Sequence, residues 1–92
     1  MIAIHDLLAV LGPDADAVAS FLAERDFRGV RGVGEDCPLA NYLRANGIRD
    51  PAIDATAVTH VVDGRLVVED LPQPAEDFVM LFDDGAYPDL SA

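Results

Sequence analysis

Ala57-Val58-Thr59-His60-Val61-Val62-Asp63-Gly64-Arg65-Leu66-Val67-Val68-Glu69-Asp70-Leu71 is the stretch that decides the fold. Two runs rich in β-branched and aliphatic residues flank Asp63-Gly64, a pair suited to the left-handed positions of a type I′ turn, and predict a β-hairpin. A two-residue connection sets the register: Val62 opposite Arg65, Val61 opposite Leu66, His60 opposite Val67, Thr59 opposite Val68. One face then carries Thr59, Val61, Leu66 and Val68 and is expected to cover helices. The other carries Val58, Val62 and Val67 with His60, Arg65 and Glu69, and is too apolar for a plain solvent face.

Helical spacing flanks the hairpin on both sides. Ile4, Leu7, Leu8 and Leu11 recur at i, i+3, i+4, i+7 and predict a helix over 2–11, ended by Gly12-Pro13. Asp14 suits an N-cap for a second helix reaching about Asp26, with Ala15, Val18, Ala19 and Leu22 on one stripe. The short connection predicts that these two helices pair antiparallel. Three glycines in six positions make 27–35 a loop. A third helix is expected with Asp36 as N-cap, Pro38 in its first turn and Gly47 just past its end. Residues 48–55 read as a second loop, because Pro51 pushes Asp50 out of helical geometry.

After the hairpin, Pro72 and Pro74 open a last helix with Glu76 and Asp77 in its first turn. Its interior, Phe78 to Phe82, is apolar all round and demands cover on more than one side. Asp83 and Asp84 fall in its last turn, where the macrodipole disfavours anions, and Tyr87, Pro88 and Leu90 are placed to fold back as a cap. The expected architecture is α+β, with three N-terminal helices, one β-hairpin and one C-terminal helix. With 92 residues it forms one domain, 1–92.

Seventeen acids against six arginines, with no lysine, give a net charge of −11. That field repels polyanions, so neither direct nucleic-acid binding nor an anionic membrane is an expected partner. The longest unbroken apolar run, Phe78 to Phe82, is far short of a membrane span. No basic segment precedes an apolar one as in a signal peptide, and Cys37 has no disulfide partner, so a cytoplasmic protein is expected.

Candidate chemistry is sparse. Cys37 begins a helix, where a dipole favours thiolate, but Glu35 and Asp36 oppose this and no base is aligned with it. One cysteine and two histidines, at 5, 37 and 60, lack paired ligand spacing, so neither metal nor cofactor is expected. Gly29-Val30-Arg31-Gly32-Val33-Gly34 has the composition of a phosphate cradle but not its order. Arg28 and Arg31 of the 27–35 loop, with Arg25, are instead placed to pair with Asp83 and Asp84.

Glu35-Asp36-Cys37-Pro38-Leu39-Ala40-Asn41-Tyr42-Leu43, then the hairpin, then Phe78-x3-Phe82-Asp83-Asp84-Gly85-Ala86-Tyr87-Pro88, resembles short accessory proteins of GC-rich actinobacteria and their phages. The resemblance implies provenance and a habit of binding one host protein; it implies no catalytic residue.

Surplus apolar surface therefore carries the functional expectation: a non-enzymatic protein-interaction module, an accessory or phage regulator acting by stoichiometric binding. Its partner is a host protein or a second copy in a homodimer. The expected contact residues are Val58, His60, Val62 and Val67 on the hairpin, with Arg28 and Arg31 as a polar rim. Two alternatives are an acidic DNA-mimic decoy for a DNA-binding protein and a small thiol enzyme using Cys37.

Overall fold

A computed structural model describes residues 3–92 as an α+β fold in which helices cover one face of a three-stranded antiparallel sheet. Its elements run α1 (Ile4–Ala9), α2 (Ala15–Glu24), α3 (Pro38–Ala45), β1 (Arg49–Ile53), β2 (Ala57–Val62), β3 (Arg65–Asp70), α4 (Gln73–Asp83) and a 3₁₀ turn, Pro88–Leu90. The start of the first expected helix, at residue 2, lies outside the described residues.

The local signals that end and start helices act as their chemistry requires. Asp14 caps α2 by accepting the Ala17 N–H at 2.8 Å. Gly47, past the end of α3, adopts φ 92°, and Asp63 and Gly64 take φ 51° and 79°, the two left-handed positions of the turn. The hairpin register is the one the two-residue connection dictates, from Val62–Arg65 to Ala57–Asp70.

Four expectations need correction. The N-cap of α3 is Cys37, whose Sγ accepts the Ala40 N–H at 3.4 Å, while Asp36 turns to Asn41 Nδ2 at 3.1 Å. Residues 49–53 are not loop but strand β1, antiparallel to β2 with Ile53 opposite Val58. An edge strand tolerates Pro51, and Asp50 at φ 48° absorbs the register break between Arg49 and Ala52. The main helix neighbour of α2 is α4, not α1. Finally, α4 is covered on one side only: Phe78, Val79 and Phe82 are buried, whereas Met80 and Leu81 are exposed.

The two faces of the hairpin are also reversed from expectation. Val58 and His60 point into the core, whereas Leu66 is 70% and Val68 62% exposed. Both faces carry valine, so period-two alternation alone could not rank them. A tertiary partner favours the observed side: β1 brings Ile53 beside Val58, and both are buried.

The core runs from Leu7, Leu8 and Leu11 through Val18, Leu22, Leu39 and Leu43 to Val58, Phe78 and Phe82. Phe78 stacks against both Phe82 and Tyr87, with centroids 5.8 and 5.6 Å away. Leu90 folds back into this cluster, 2% exposed, as a C-terminal cap. Tyr42 ties α3 to α1 by donating its hydroxyl to the Leu7 carbonyl at 2.7 Å. No helix among the described residues is long and apolar enough to cross a membrane.

Candidate functional site

Three segments distant in sequence enclose a groove of about 490 Å³: α4, the loop 32–34, and the connection 54–56 between β1 and β2. Its volume lies in the range of small-ligand and anchor-residue pockets.

Backbone bonds hold two of the walls. The Ile53 N–H donates to the Gly34 carbonyl at 2.9 Å, joining the loop to β1. A Cβ at position 34 would overlap the Ile53 carbonyl, so only glycine allows this approach. The Gly32 N–H donates to Asp83 Oδ1 at 3.1 Å, joining the same loop to the end of α4. At the opposite wall, Asp54 takes a bond from its own turn through Thr56 N at 3.4 Å, and the Leu71 N–H reaches the Thr56 carbonyl at 3.0 Å.

The third wall is the outward stripe of α4. Gln73, Glu76, Asp77, Met80, Asp83 and Asp84 recur at helical spacing and line the groove together. Cys37, Ile53, Phe78, Val79 and Phe82 form its buried apolar floor, and Val33 and Met80, 43% and 59% exposed, stand at its lip. The charged residues lining it, Asp54, Glu76, Asp77, Asp83 and Asp84, are all acids. The arrangement offers an apolar slot flanked by acids on α4 and on the 54–56 connection.

Cys37 sits in the floor, 6% exposed. Burial pushes its thiol pKa up, against the lowering effect of backbone N–H groups from Ala40 and Leu39, and Asp83 raises it further. A thiol so placed behaves as a small hydrophobe and a weak helix cap.

The residues expected to meet a partner fall in different places. Val58 and His60 are buried, 0% and 5% exposed, and cannot contact one; Val67 is half-buried and Val62 is 44% exposed. Arg28 Nε lies 3.4 Å from Asp26, and an Arg31 guanidinium nitrogen would stand 2.8 Å from a Cβ on Gly85. These arginines are engaged at the loop and at the end of α4 rather than at the hairpin. The expected pairing of Asp83 and Asp84 with arginine is thereby replaced. A backbone N–H satisfies Asp83, and Arg31 brings a cation to the negative end of the helix.

His60 Nε2 is buried without a hydrogen-bond partner, 3.9 Å from Glu69 Oε1, while His5 Nε2 lies 3.3 Å from the other oxygen. No three metal-ligating side chains among the described residues converge to hold an ion.

The groove residues are not legible as a set in the sequence, because its walls come from three separate stretches. The spacing of Glu76, Asp77, Met80, Asp83 and Asp84, one apolar residue among four acids on a single helix face, is the signal that points to it. The chain matches no family model, no curated protein and no solved structure.

Proposed function

We propose that this chain is a non-enzymatic protein-interaction module, acting by stoichiometric binding, and that its groove receives an apolar side chain carried on a basic segment of a host protein. The observation that carries this reading is the groove's composition: a buried apolar floor, two exposed apolar residues at the lip, and a charged rim made only of carboxylates. An apolar anchor supplies affinity by leaving water, and flanking arginines or lysines supply orientation and a fast encounter with a body of net charge −11. The raised thiol of Cys37 speaks against the thiol-enzyme alternative. The acid-decoy alternative draws less support, since exposed valine, leucine and methionine interrupt the carboxylates.

The test is a titration with an amidated amphipathic helix built of leucine, alanine and arginine, read by fluorescence anisotropy against the same peptide with glutamate in place of arginine. The arginine peptide is expected to bind and the glutamate peptide to fail. Val33→Glu is the decisive variant. It adds negative charge while spoiling the lip, so groove binding weakens, whereas bulk attraction to an acidic protein would strengthen. Tighter binding to Val33→Glu would refute the proposal.

A further inference from the structure

We infer that a second copy of this chain pairs with the free edge of β3, antiparallel, about a two-fold axis at Val67. This surface is distinct from the groove, and the inference goes beyond the proposed function.

The two edges of the sheet are unequal. At β1, Pro51 has no N–H, Asp50 is left-handed, the register breaks between Arg49 and Ala52, and Gly34 takes up the Ile53 N–H. Such an edge cannot template another strand. β3 is the terminal strand of the order β1-β2-β3 and pairs with β2 in unbroken register from Arg65 to Asp70, with no proline. Among the described residues, no strand pairs with its outer edge.

Hairpin geometry fixes which groups that edge presents. A type I′ turn makes Val62 and Arg65 the closing pair that exchanges both backbone bonds, so Arg65, Val67 and Glu69 bond inward to β2. The N–H and C=O groups of Leu66, Val68 and Asp70 therefore face outward. A two-fold axis perpendicular to the sheet keeps each side chain on its own face, so residues of one face oppose residues of the same face.

Sequence then selects the centre. With the axis at Val68, Leu66 would oppose Asp70 and Val67 would oppose Glu69. With the axis at Leu66, Glu69 would oppose Asp63, a like charge. With the axis at Val67, Leu66 opposes Val68 on the outer face, Val67 opposes Val67 and Arg65 opposes Glu69 on the inner face, twice over by symmetry. Arg65 has no ion pair within its own chain among the described residues, and Glu69 meets only His5 and His60. Pairing supplies both partners. One open edge and one blocked edge close the assembly at two copies rather than a filament.

Sedimentation velocity over a concentration series tests this. Wild type is expected to pass from one to two copies, with a dissociation constant on the order of micromolar for so small an interface. Val68→Pro removes an outward N–H and leaves the β2–β3 ladder intact, so it is expected to stay monomeric with its melting temperature little changed. Arg65→Glu, at an exposed position that does not threaten the fold, sets glutamate against Glu69 and is expected to weaken association roughly tenfold. Thr59→Glu, on the outer face away from the edge, is expected to leave the dimer intact. A wild type that stays monomeric, a dimer insensitive to Arg65→Glu, or one lost on Thr59→Glu (face-to-face packing) would each overturn the inference.

Discussion

The backbone N–H of Gly32 donates to Asp83 Oδ1 at 3.1 Å, across 51 residues of chain, and this bond closes the groove at the C-terminal end of α4. It also accounts for an anion where the helix dipole opposes one. Asp83→Asn keeps the acceptor and drops the charge, so it is expected to raise stability by about 0.3–1 kcal/mol. Asp83→Ala also relieves the dipole but loses a bond worth about 0.5–1.5 kcal/mol, leaving stability near wild type. Thermal unfolding of the two variants checks this ordering, and hydrogen exchange at the Gly32 amide should quicken only in the alanine variant.

Orientation of the hairpin makes a second prediction. Leu66 lies outside, so Leu66→Ser is expected to stay within about 0.5 kcal/mol of wild type, measured at a concentration where the protein is monomeric. Val58 is wholly buried beside Ile53, and Val58→Asp is expected to unfold the chain by placing an unpaired carboxylate in the core. Urea denaturation followed by circular dichroism separates the two; the reverse ranking would restore the other face to the core.

His60 is expected to be dispensable for folding. Its Nε2 is buried and unpartnered, so His60→Leu removes a desolvated polar atom and fills the same space. The variant should be as stable as wild type or gain about 1–3 kcal/mol. A loss of several kcal/mol would mean that the contact with Glu69 is a strong bond rather than a 3.9 Å approach.

Tyr87 gives the fold a dependence on alkaline pH. Burial, with its hydrogen bond to Asp16 Oδ1 at 2.6 Å, pushes its phenol up to about 12 from an ordinary 10. The folded state holds this proton more tightly than the unfolded state. The associated stability is therefore complete below pH 10 and is lost as pH rises toward 12. Tyr87→Phe is expected to be less stable by about 0.5–1.5 kcal/mol at neutral pH, and to lose less of its remaining stability than wild type between pH 10 and 12. Parallel pH–stability curves for the two proteins would contradict this assignment.

The helices, the type I′ turn and the hairpin register are legible in the sequence, because spacing, caps and a two-residue connection are local signals. β1 is hidden by Pro51 and Asp50, which argue against a strand unless the strand lies at an edge and the aspartate takes a left-handed conformation. The hairpin face is hidden because Val58 and Val67 on one side and Val61 and Val68 on the other give equal alternation. Only a tertiary partner, Ile53 from β1 beside Val58, breaks the tie. The groove is half legible. Its α4 wall is a single helical stripe, but the Gly34–Ile53 and Gly32–Asp83 bonds that complete it depend on the folded chain.

Nuclear magnetic resonance with ¹⁵N-labelled protein and the unlabelled arginine–leucine helix tests the central claim most directly. Saturable shifts are predicted at the amides of Gly32–Gly34, Asp54–Thr56 and the outward stripe of α4 from Glu76 to Asp84, with β3 and α2 unmoved. Shifts spread over every acidic surface, or confined to Leu66 and Val68, would contradict the groove as the binding site.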